Sequence, residues 1–262
     1  MKKFVHDFEV VSNKRLNVRH FVLELRCSEK LPVILPGQFA EVRIDESVVT
    51  YLRRPFSIHD VDYNLNSLSF LVKQLGEGTA KLATIAVGEI INIVYPLGNG
   101  FAIPSTGKAL LVGGGCGVAP LLMLAKHLSK QGLQITTLIG GRGSDDILQP
   151  EEYMKLGEVL ITSEDGSIGE KGMVTDHSFF NTGIQSFSQV FTCGPEPMMK
   201  AIAAIAIKHG IPCQVSLENT MACGIGACLC CVVETKEGNK CVCTEGPVFD
   251  ARFLTKWGAT VC

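Results

Sequence analysis

Residues 109–120 of the chain read ALLVGGGCGVAP. Its uninterrupted apolar start is typical of a strand that is buried on both faces of a sheet. The glycines that follow let a backbone approach a pyrophosphate, and the N-terminus of the predicted helix Val118–Lys130 favours negative charge. Pro120 replaces the third glycine of the usual fingerprint and suits a first helical turn, where its missing N–H would be unpaired anyway. Gly115 and Gly117 are therefore candidate nucleotide-binding residues, with a purely structural turn as the alternative.

Strands and helices alternate from residue 104 to residue 212. The predicted strands and helix that follow the turn are Gln134–Ile139, Glu158–Thr162, Gln189–Thr192 and Pro197–His209. Such alternation predicts a doubly wound parallel sheet with helices on both faces. A second strand-to-helix turn begins at Cys193 and falls at the carboxyl edge, where ligands bind in these sheets. Cys193 either lies beside a nicotinamide ring or is a small residue in a crowded turn.

Residues 1–103, upstream of this pattern, consist of short apolar or alternating runs separated by Pro and Gly. The predicted strands are Val5–Val11, His20–Leu25, Phe39–Ile44, Ser67–Val72 and Ile90–Val94. Regular spacing of this kind predicts a small antiparallel barrel, joined to the next domain by a linker at 103–108.

Residues 213–262 carry four cysteines in the pattern C-x4-C-x2-C-x11-C: Cys223, Cys228, Cys231 and Cys243. This is the spacing of plant-type [2Fe–2S] sites, in which the fourth thiolate comes from further along the chain. Small residues between the ligands let a loop wrap around a cluster and direct backbone N–H groups at its sulfurs. Zinc is the alternative, although zinc knuckles usually pair two Cys-x2-Cys units. A segment of about fifty residues is expected to depend on its metal for stability.

Two further cysteines, Cys230 and Cys241, compete for the ligand positions. Cys230 follows Cys228 too closely for both to ligate a dinuclear cluster. Cys241 and Cys243 lie two apart on a predicted strand and so on the same side, and spacing does not choose between them. The residues left over are expected to be small buried hydrophobes.

Composition narrows the classes of protein. The chain has 262 residues, of which 46% are hydrophobic and 19% charged, which is typical of a globular protein of two or three domains. A net charge of −2 gives no basic footprint for nucleic acid. No apolar run reaches about 18 residues, so no membrane span is expected. Eleven cysteines without a signal peptide predict a reducing, cytoplasmic location.

A chain that binds both a nicotinamide dinucleotide and an iron–sulfur cluster is expected to need a third cofactor. Nicotinamide exchanges a hydride, which carries two electrons, whereas an iron–sulfur cluster moves one, and flavin is the usual converter. In the first domain, 53–57 reads RRPFS and 76–79 reads GEGT. The first run offers a cation, an aromatic ring and a hydroxyl, and the second offers backbone N–H groups and the Thr79 hydroxyl for a pyrophosphate. Taken alone, an Arg pair is usually solvated and Gly-x-Gly is usually a turn.

The order of these motifs resembles the ferredoxin–NADP reductase superfamily. Arg54-x-Phe56-Ser57 is similar to its Arg-x-Tyr-Ser flavin motif, and Gly78-Thr79, 115–120 and 193–195 match later motifs in the same order. The resemblance implies FAD in the first domain and NAD(P) in the second. Phe56 lacks the phenol hydroxyl of the more frequent Tyr but keeps the stacking surface. The residues that it implies for FAD are Arg53, Arg54, Pro55, Phe56, Ser57, Leu71, Val72, Lys73, Gly78 and Thr79. Those that it implies for NAD are Gly115, Gly117, Pro120 and Cys193.

With the cluster motif added, the whole chain most resembles the electron-transfer subunits of NAD-dependent, two-subunit dihydroorotate dehydrogenases (class 1B). The run that carries this resemblance is Glu218-x-x-Met221-x-Cys223-Gly224-x-Gly226-x-Cys228-x-x-Cys231. It implies Cys243 as the fourth ligand and a partner, the FMN-containing catalytic subunit, in a heterotetramer of two plus two. Electrons would pass from FMN through [2Fe–2S] and FAD to NAD+ in pyrimidine biosynthesis. The chain shows no site of its own for dihydroorotate and hence no catalytic residue.

Two rival functions share much of this pattern. One is the reductase subunit of a sulfide dehydrogenase or of an NADH-dependent ferredoxin:NADP oxidoreductase. The other is a non-enzymatic iron–sulfur redox sensor. NAD and NADP are not distinguished, because Arg142 and Asp145 after the second strand of the sheet have opposite charges.

Overall fold

The structure is a computed structural model that describes residues 2–44, 50–181, 183–255 and 257. Its first part contains the helix α1 (Glu77–Leu82) and strands β1 (Phe4–Arg15), β2 (His20–Cys27), β3 (Phe39–Val42), β4 (Arg54–Ser57), β5 (Asp60–Asp62), β6 (Ser67–Lys73) and β7 (Ile90–Leu97). The strands form an antiparallel sheet in the order β4-β3-β7-β1-β2-β6-β5. The sheet closes because β4 and β5 are successive parts of one segment, which pairs with β3 at one end and with β6 at the other. The predicted antiparallel barrel is confirmed.

Alternating side chains fill the inside of this barrel. Strand β2 buries Phe21, Leu23 and Leu25 there, and each such burial contributes roughly 1.5–3 kcal/mol. On β3, Ala40 and Val42 belong to the same core. Because successive side chains of a strand point to opposite faces, the remaining residues of β3 lie on the outside of the barrel. That outer face is covered by the C-terminal part of the chain.

The second part is a parallel sheet with helices. Its elements are β8 (Lys108–Gly114), α2 (Ala119–Lys130), β9 (Gln134–Gly141), α3 (Pro150–Met154), β10 (Glu158–Ser163), β11 (Glu170–Lys171), β12 (Gln189–Cys193), α4 (Glu196–Lys208) and β13 (Cys213–Ser216). The strand order begins β11-β10-β9-β8-β12-β13, so the direction of winding reverses between β8 and β12. The doubly wound parallel sheet is confirmed, and its switch point lies between the two predicted turns.

The C-terminal elements are β14 (Val232–Thr235), β15 (Gly238–Cys241), α5 (Val242–Glu245) and β16 (Val248–Asp250). β14 and β15 form a hairpin, but β16 pairs antiparallel with β13 at the edge of the parallel sheet. The predicted boundary at residue 213 thus falls at the start of a strand of that sheet. Cys231, Val242 and Cys243 also share a hydrophobic core with the second domain and with Phe39 and Leu97 of the barrel. The last segment is therefore built into its neighbours rather than standing alone.

Two expectations about the spare cysteines are wrong. Cys230 is exposed rather than buried, and Cys241 is half-buried. Cys241 ends strand β15, whereas Cys243 lies in the short helix α5, so the two do not share one strand face. Cys243 is 1% exposed and belongs to the hydrophobic core. Burial therefore distinguishes Cys243 from Cys241, whereas the cysteine spacing does not.

Among the helices that the structure describes, none is long and apolar enough to cross a membrane.

Candidate functional site

The strand β4 and the first turn of α1 border one open cleft. Its lining is Thr50, Arg54, Leu75, Gly76, Glu77, Gly78 and Thr79, and its volume is about 500 Å³. Arg54 donates to the carbonyl oxygen of Leu52 at 2.9 Å. The Thr79 hydroxyl oxygen accepts from the N–H of Leu75 at 2.8 Å and of Gly76 at 3.1 Å, so it shapes the loop. Residues that the sequence predicts for FAD are thus brought together from two separate motifs.

The other predicted FAD residues divide into two groups. Phe56 is half-buried with its ring 6.0 Å from that of Phe70, and its strand neighbours Pro55 and Ser57 are also half-buried. Arg53, by contrast, donates to the carbonyl oxygen of Asn92 at 2.9 Å. Arg53 therefore ties strands of the barrel together, whereas Arg54 borders the cleft.

The end of β6 joins the barrel to the second domain. Val72 packs into the barrel core and Leu71 into the core of the second domain. The Cys116 thiol donates to the carbonyl oxygen of Leu71 at 3.5 Å. Lys73 Nζ lies 3.9 Å from Asp146 Oδ1 across the same boundary. The last residues of β6 therefore contact the nucleotide-binding turn directly.

A larger cleft, of about 630 Å³, lies at the switch point of the parallel sheet. Residues of both predicted turns line it, among them Gly115, Gly117, Gly194 and Pro195. The two turns touch, because a Cβ on Gly117 would overlap the carbonyl oxygen of Cys193. Pro120 lies in the first turn of α2. The cleft has the shape and position of a dinucleotide site.

Cys116 lines this cleft, whereas Cys193, which begins the second turn, does not. Cys193 is fully buried, and burial raises its pKa well above the ordinary value. Burial likewise raises the pKa of Cys116 to about 12. Both side chains therefore act here as small neutral groups that fill space and donate weak hydrogen bonds.

The cysteine loop is built around one sulfur. Cys223 Sγ accepts from the backbone N–H groups of Ile225 at 3.4 Å, Ala227 at 3.3 Å and Cys228 at 3.4 Å. Burial opposes ionisation of this thiol, but the N–H donors outweigh it and lower its pKa to about 6. Gly224 and Gly226 make the wrap possible with φ values of +65° and +84°, which favour glycine.

The four predicted ligands form two pairs. Cys228 donates its backbone N–H to Cys223 Sγ, and Cys243 donates its backbone N–H to Cys231 Sγ at 3.4 Å. In the part of the chain that the structure describes, no three His, Cys, Asp or Glu side chains converge on a single metal ion. A [2Fe–2S] cluster spreads four thiolates over two irons. The paired arrangement fits the dinuclear cluster, which supplies single-electron transfer when bound.

The structure adds three residues to which the sequence assigns no role in these sites. Cys116 stands inside the nucleotide turn, and its thiol reaches the barrel. Glu218 is exposed and lines the dinucleotide cleft from the segment that precedes the cysteine loop. Glu41 lies buried on the outer face of the barrel, against the cysteine loop. Cys116 and Glu218 stand within the motifs at 109–120 and 218–231, whereas Glu41 stands in none. No motif shows their contacts, because these join distant parts of the chain.

A flavin-type barrel, a dinucleotide cleft and a two-pair cysteine loop together define an iron–sulfur flavoprotein reductase of the ferredoxin–NADP reductase type. Comparison with protein families agrees. The iron–sulfur cluster binding domain of dihydroorotate dehydrogenase B matches residues 218–255. The oxidoreductase NAD-binding domain matches residues 111–204.

Curated relatives extend the match to almost the whole chain. The dihydroorotate dehydrogenase B (NAD(+)) electron transfer subunit of Caldanaerobacter subterraneus subsp. tengcongensis is 41% identical over 92% of this chain and 94% of its own. The subunit of the same name from Fusobacterium nucleatum subsp. nucleatum is 40% identical over 94% and 96%. The chain belongs to the family of dihydroorotate dehydrogenase B electron transfer subunits.

Solved structures show the same fold. An NADH-dependent reduced ferredoxin-NADP oxidoreductase matches with a TM-score of 0.84 and 32% identity, over 93% of this chain and 87% of that one. The ferredoxin reductase of carbazole 1,9a-dioxygenase matches with a TM-score of 0.69 and 20% identity, over 81% and 68%. These findings confirm the predicted oxidoreductase class and the three cofactors, FAD, NAD and an iron–sulfur cluster.

Proposed function

We propose that this chain carries electrons from a dihydroorotate-oxidising partner subunit to NAD+, through a [2Fe–2S] cluster and FAD. The observation that carries the proposal is the order of the three sites. The flavin barrel lies in the middle, with Lys73 and Leu71 against the dinucleotide cleft and Leu97 against the cysteine loop. A cofactor that converts one-electron into two-electron transfer belongs between the other two.

Residue roles follow from this arrangement. Cys223, Cys228, Cys231 and Cys243 hold the cluster as two pairs of thiolates. Arg54 supplies a charge to the FAD, the loop at Gly78 and Thr79 supplies backbone N–H groups, and Phe56 supplies a stacking face. Gly115, Gly117 and Pro120 leave room for the NAD pyrophosphate at the start of α2, and the backbone of Cys193 packs against Gly117.

The partner is proposed to be an FMN-containing catalytic subunit, in a heterotetramer of two plus two in the cytoplasm. Two features support a partner at the cysteine loop. Cys228 is exposed there, and Ile225 and Leu229 are 50% and 62% exposed. Exposed apolar side chains around a redox centre suit close approach by another protein. That the chain has no nucleic-acid partner and no membrane partner stays a prediction from the sequence.

The experiment is a reconstitution. The purified chain should oxidise NADH with an artificial acceptor but should not oxidise dihydroorotate. Adding the catalytic subunit should give dihydroorotate-dependent reduction of NAD+. Cys223→Ala should abolish that coupled activity, whereas Cys230→Ala, the matched control in the same loop, should keep it. Dihydroorotate turnover by the isolated chain, or coupled activity without the cluster, would contradict the proposed route.

A second function is favoured by one observation. The 32% identity to a reduced ferredoxin-NADP oxidoreductase, over most of both chains, fits a reductase that serves another electron donor. The test of this second function is to supply reduced ferredoxin as the electron donor, in place of dihydroorotate and the catalytic subunit. Rapid NADH oxidation would also exclude the predicted redox sensor, which needs no turnover.

A further inference from the structure

A carboxyl group lies buried between the flavin strand and the cysteine loop. Glu41 is on β3, where it pairs with Pro55 of the flavin strand β4. Its side chain lies on the outside of the barrel, since Ala40 and Val42 on either side point inward. Gly224, the residue after Cys223, packs on it: a Cβ there would lie 2.6 Å from Glu41 Cγ and 3.1 Å from its Oε1. Glu41 therefore occupies the boundary that electrons cross between the two sites.

This carboxyl group lacks the partners that buried carboxylates normally have. Glu41 is 1% exposed, and among the described residues neither of its oxygens has a hydrogen-bond partner. Arg53 donates to the backbone carbonyl oxygen of Glu41 at 3.4 Å, not to its carboxylate. A buried carboxylate without hydrogen bonds opposes folding. The fold tolerates that cost at the boundary between two redox sites.

The charges around Glu41 come from both sites. Burial raises its pKa to about 7, and the charge of Cys223 adds to the rise, while Arg53 and Arg54 oppose it. Glu41 therefore interacts electrostatically with the cysteine loop and with the arginines at the start of the flavin strand. Electrostatic interaction between such groups is strong because solvent screens buried charges little.

We propose that the carboxyl charge of Glu41 sets the reduction potential of the [2Fe–2S] cluster. The inference rests on the proposed ligand assignment. A negative charge beside a centre that gains an electron disfavours the reduced state, so it lowers the potential. The charge thereby favours onward transfer of the electron from the cluster to the flavin. Glu41 touches no substrate and no ligand sulfur, and it acts only through its field and its contact with the loop.

The test compares three variants of the full-length, cluster-loaded protein. Glu41→Gln and Glu41→Met remove the charge and keep the size of the side chain. Glu9→Gln removes one exposed charge of the same barrel, which is paired with Arg26. The cluster potential is measured by electron paramagnetic resonance in a redox titration at about pH 8.5, above the pKa of about 7 to which burial raises Glu41.

Both Glu41 variants should shift the reduction equilibrium about tenfold toward the reduced cluster, which is about +59 mV for one electron. Glu9→Gln should leave the potential unchanged. An unchanged potential in a Glu41 variant that keeps its cluster would overturn the proposal and leave the ligand assignment standing. Loss of the cluster from both variants with FAD retained would also overturn it, because Glu41 would then act on packing alone. A wild-type protein without iron would instead contradict the proposed function.

Discussion

Cys193 and Cys223 are the same residue type in two opposite environments. Cys193 ends a buried strand, and burial raises its pKa well above the ordinary value. Cys223 lies in an open loop, where three backbone N–H groups point at its sulfur and lower its pKa to about 6. A thiol becomes a metal ligand only as the thiolate, so the backbone around a cysteine decides its role. The same residue type is therefore a buried neutral thiol at one turn and, in the proposed assignment, a cluster ligand in the other region.

Glycines differ between the same two regions. Gly117 provides space, because its missing Cβ lets the first turn touch the backbone of the second at Cys193. Gly224 provides a conformation as well, with φ at +65°, which turns the following N–H groups toward the sulfur. Glycine-rich sequence therefore predicts a site in both regions, but only the structure shows whether space or direction is needed.

The largest expected effect is the loss of a ligand. Cys223→Ala should remove the cluster completely, because the loop wraps around that sulfur. Iron and acid-labile sulfide analysis of the purified protein measures it. Cys230→Ala is the matched control, since Cys230 is exposed and lies outside both thiolate pairs. A Cys223→Ala protein with full iron content would show that the backbone donors do not mark the ligand.

The second-largest effect is expected from removing a charge in the flavin cleft. Arg54→Ala should weaken FAD retention by about 1.5–3 kcal/mol if the guanidinium makes one charge-assisted bond to the cofactor. Flavin content after dialysis is the measurement. Arg26→Ala is the control, an exposed cation on the same barrel that is paired with Glu9. Equal flavin retention in the two variants would return Arg54 to the status of a solvated surface charge.

A smaller effect is expected from filling the space at Gly117. The methyl group of Gly117→Ala would overlap the Cys193 carbonyl and separate the two turns, so KM for NADH should rise about tenfold, or by ~1.4 kcal/mol. Lys130→Ala is the control, because Lys130 is exposed and lies at the other end of α2, away from the two turns. Initial-rate kinetics with an artificial acceptor give the comparison. An unchanged KM in Gly117→Ala would mean that the turns are not required to touch.

Sequence alone predicted the architecture because its signals are local. The apolar run and glycines at 109–120 mark the parallel sheet, and α2 and α4 begin within one residue of the predicted positions. The cysteine spacing likewise marks the cluster loop. Sequence failed where a residue acts across domains. It separated the last fifty residues from a sheet that they complete through β13 and β16, and it gave no sign of Glu41, whose environment is assembled from three distant segments.

The smallest expected effect tests the two cysteines directly. In protein from which iron has been removed, the alkylation rate of Cys223 by iodoacetamide should rise about tenfold between about pH 5 and pH 7 and then level off, because only the thiolate reacts and its pKa is about 6. Cys193 should stay unmodified over the whole range, since it is fully buried and its pKa is raised. Mass spectrometry of peptides locates the label at each pH. A rate for Cys223 that keeps rising up to about pH 8.5, as for an ordinary thiol, would show that the loop's N–H groups do not stabilise the thiolate.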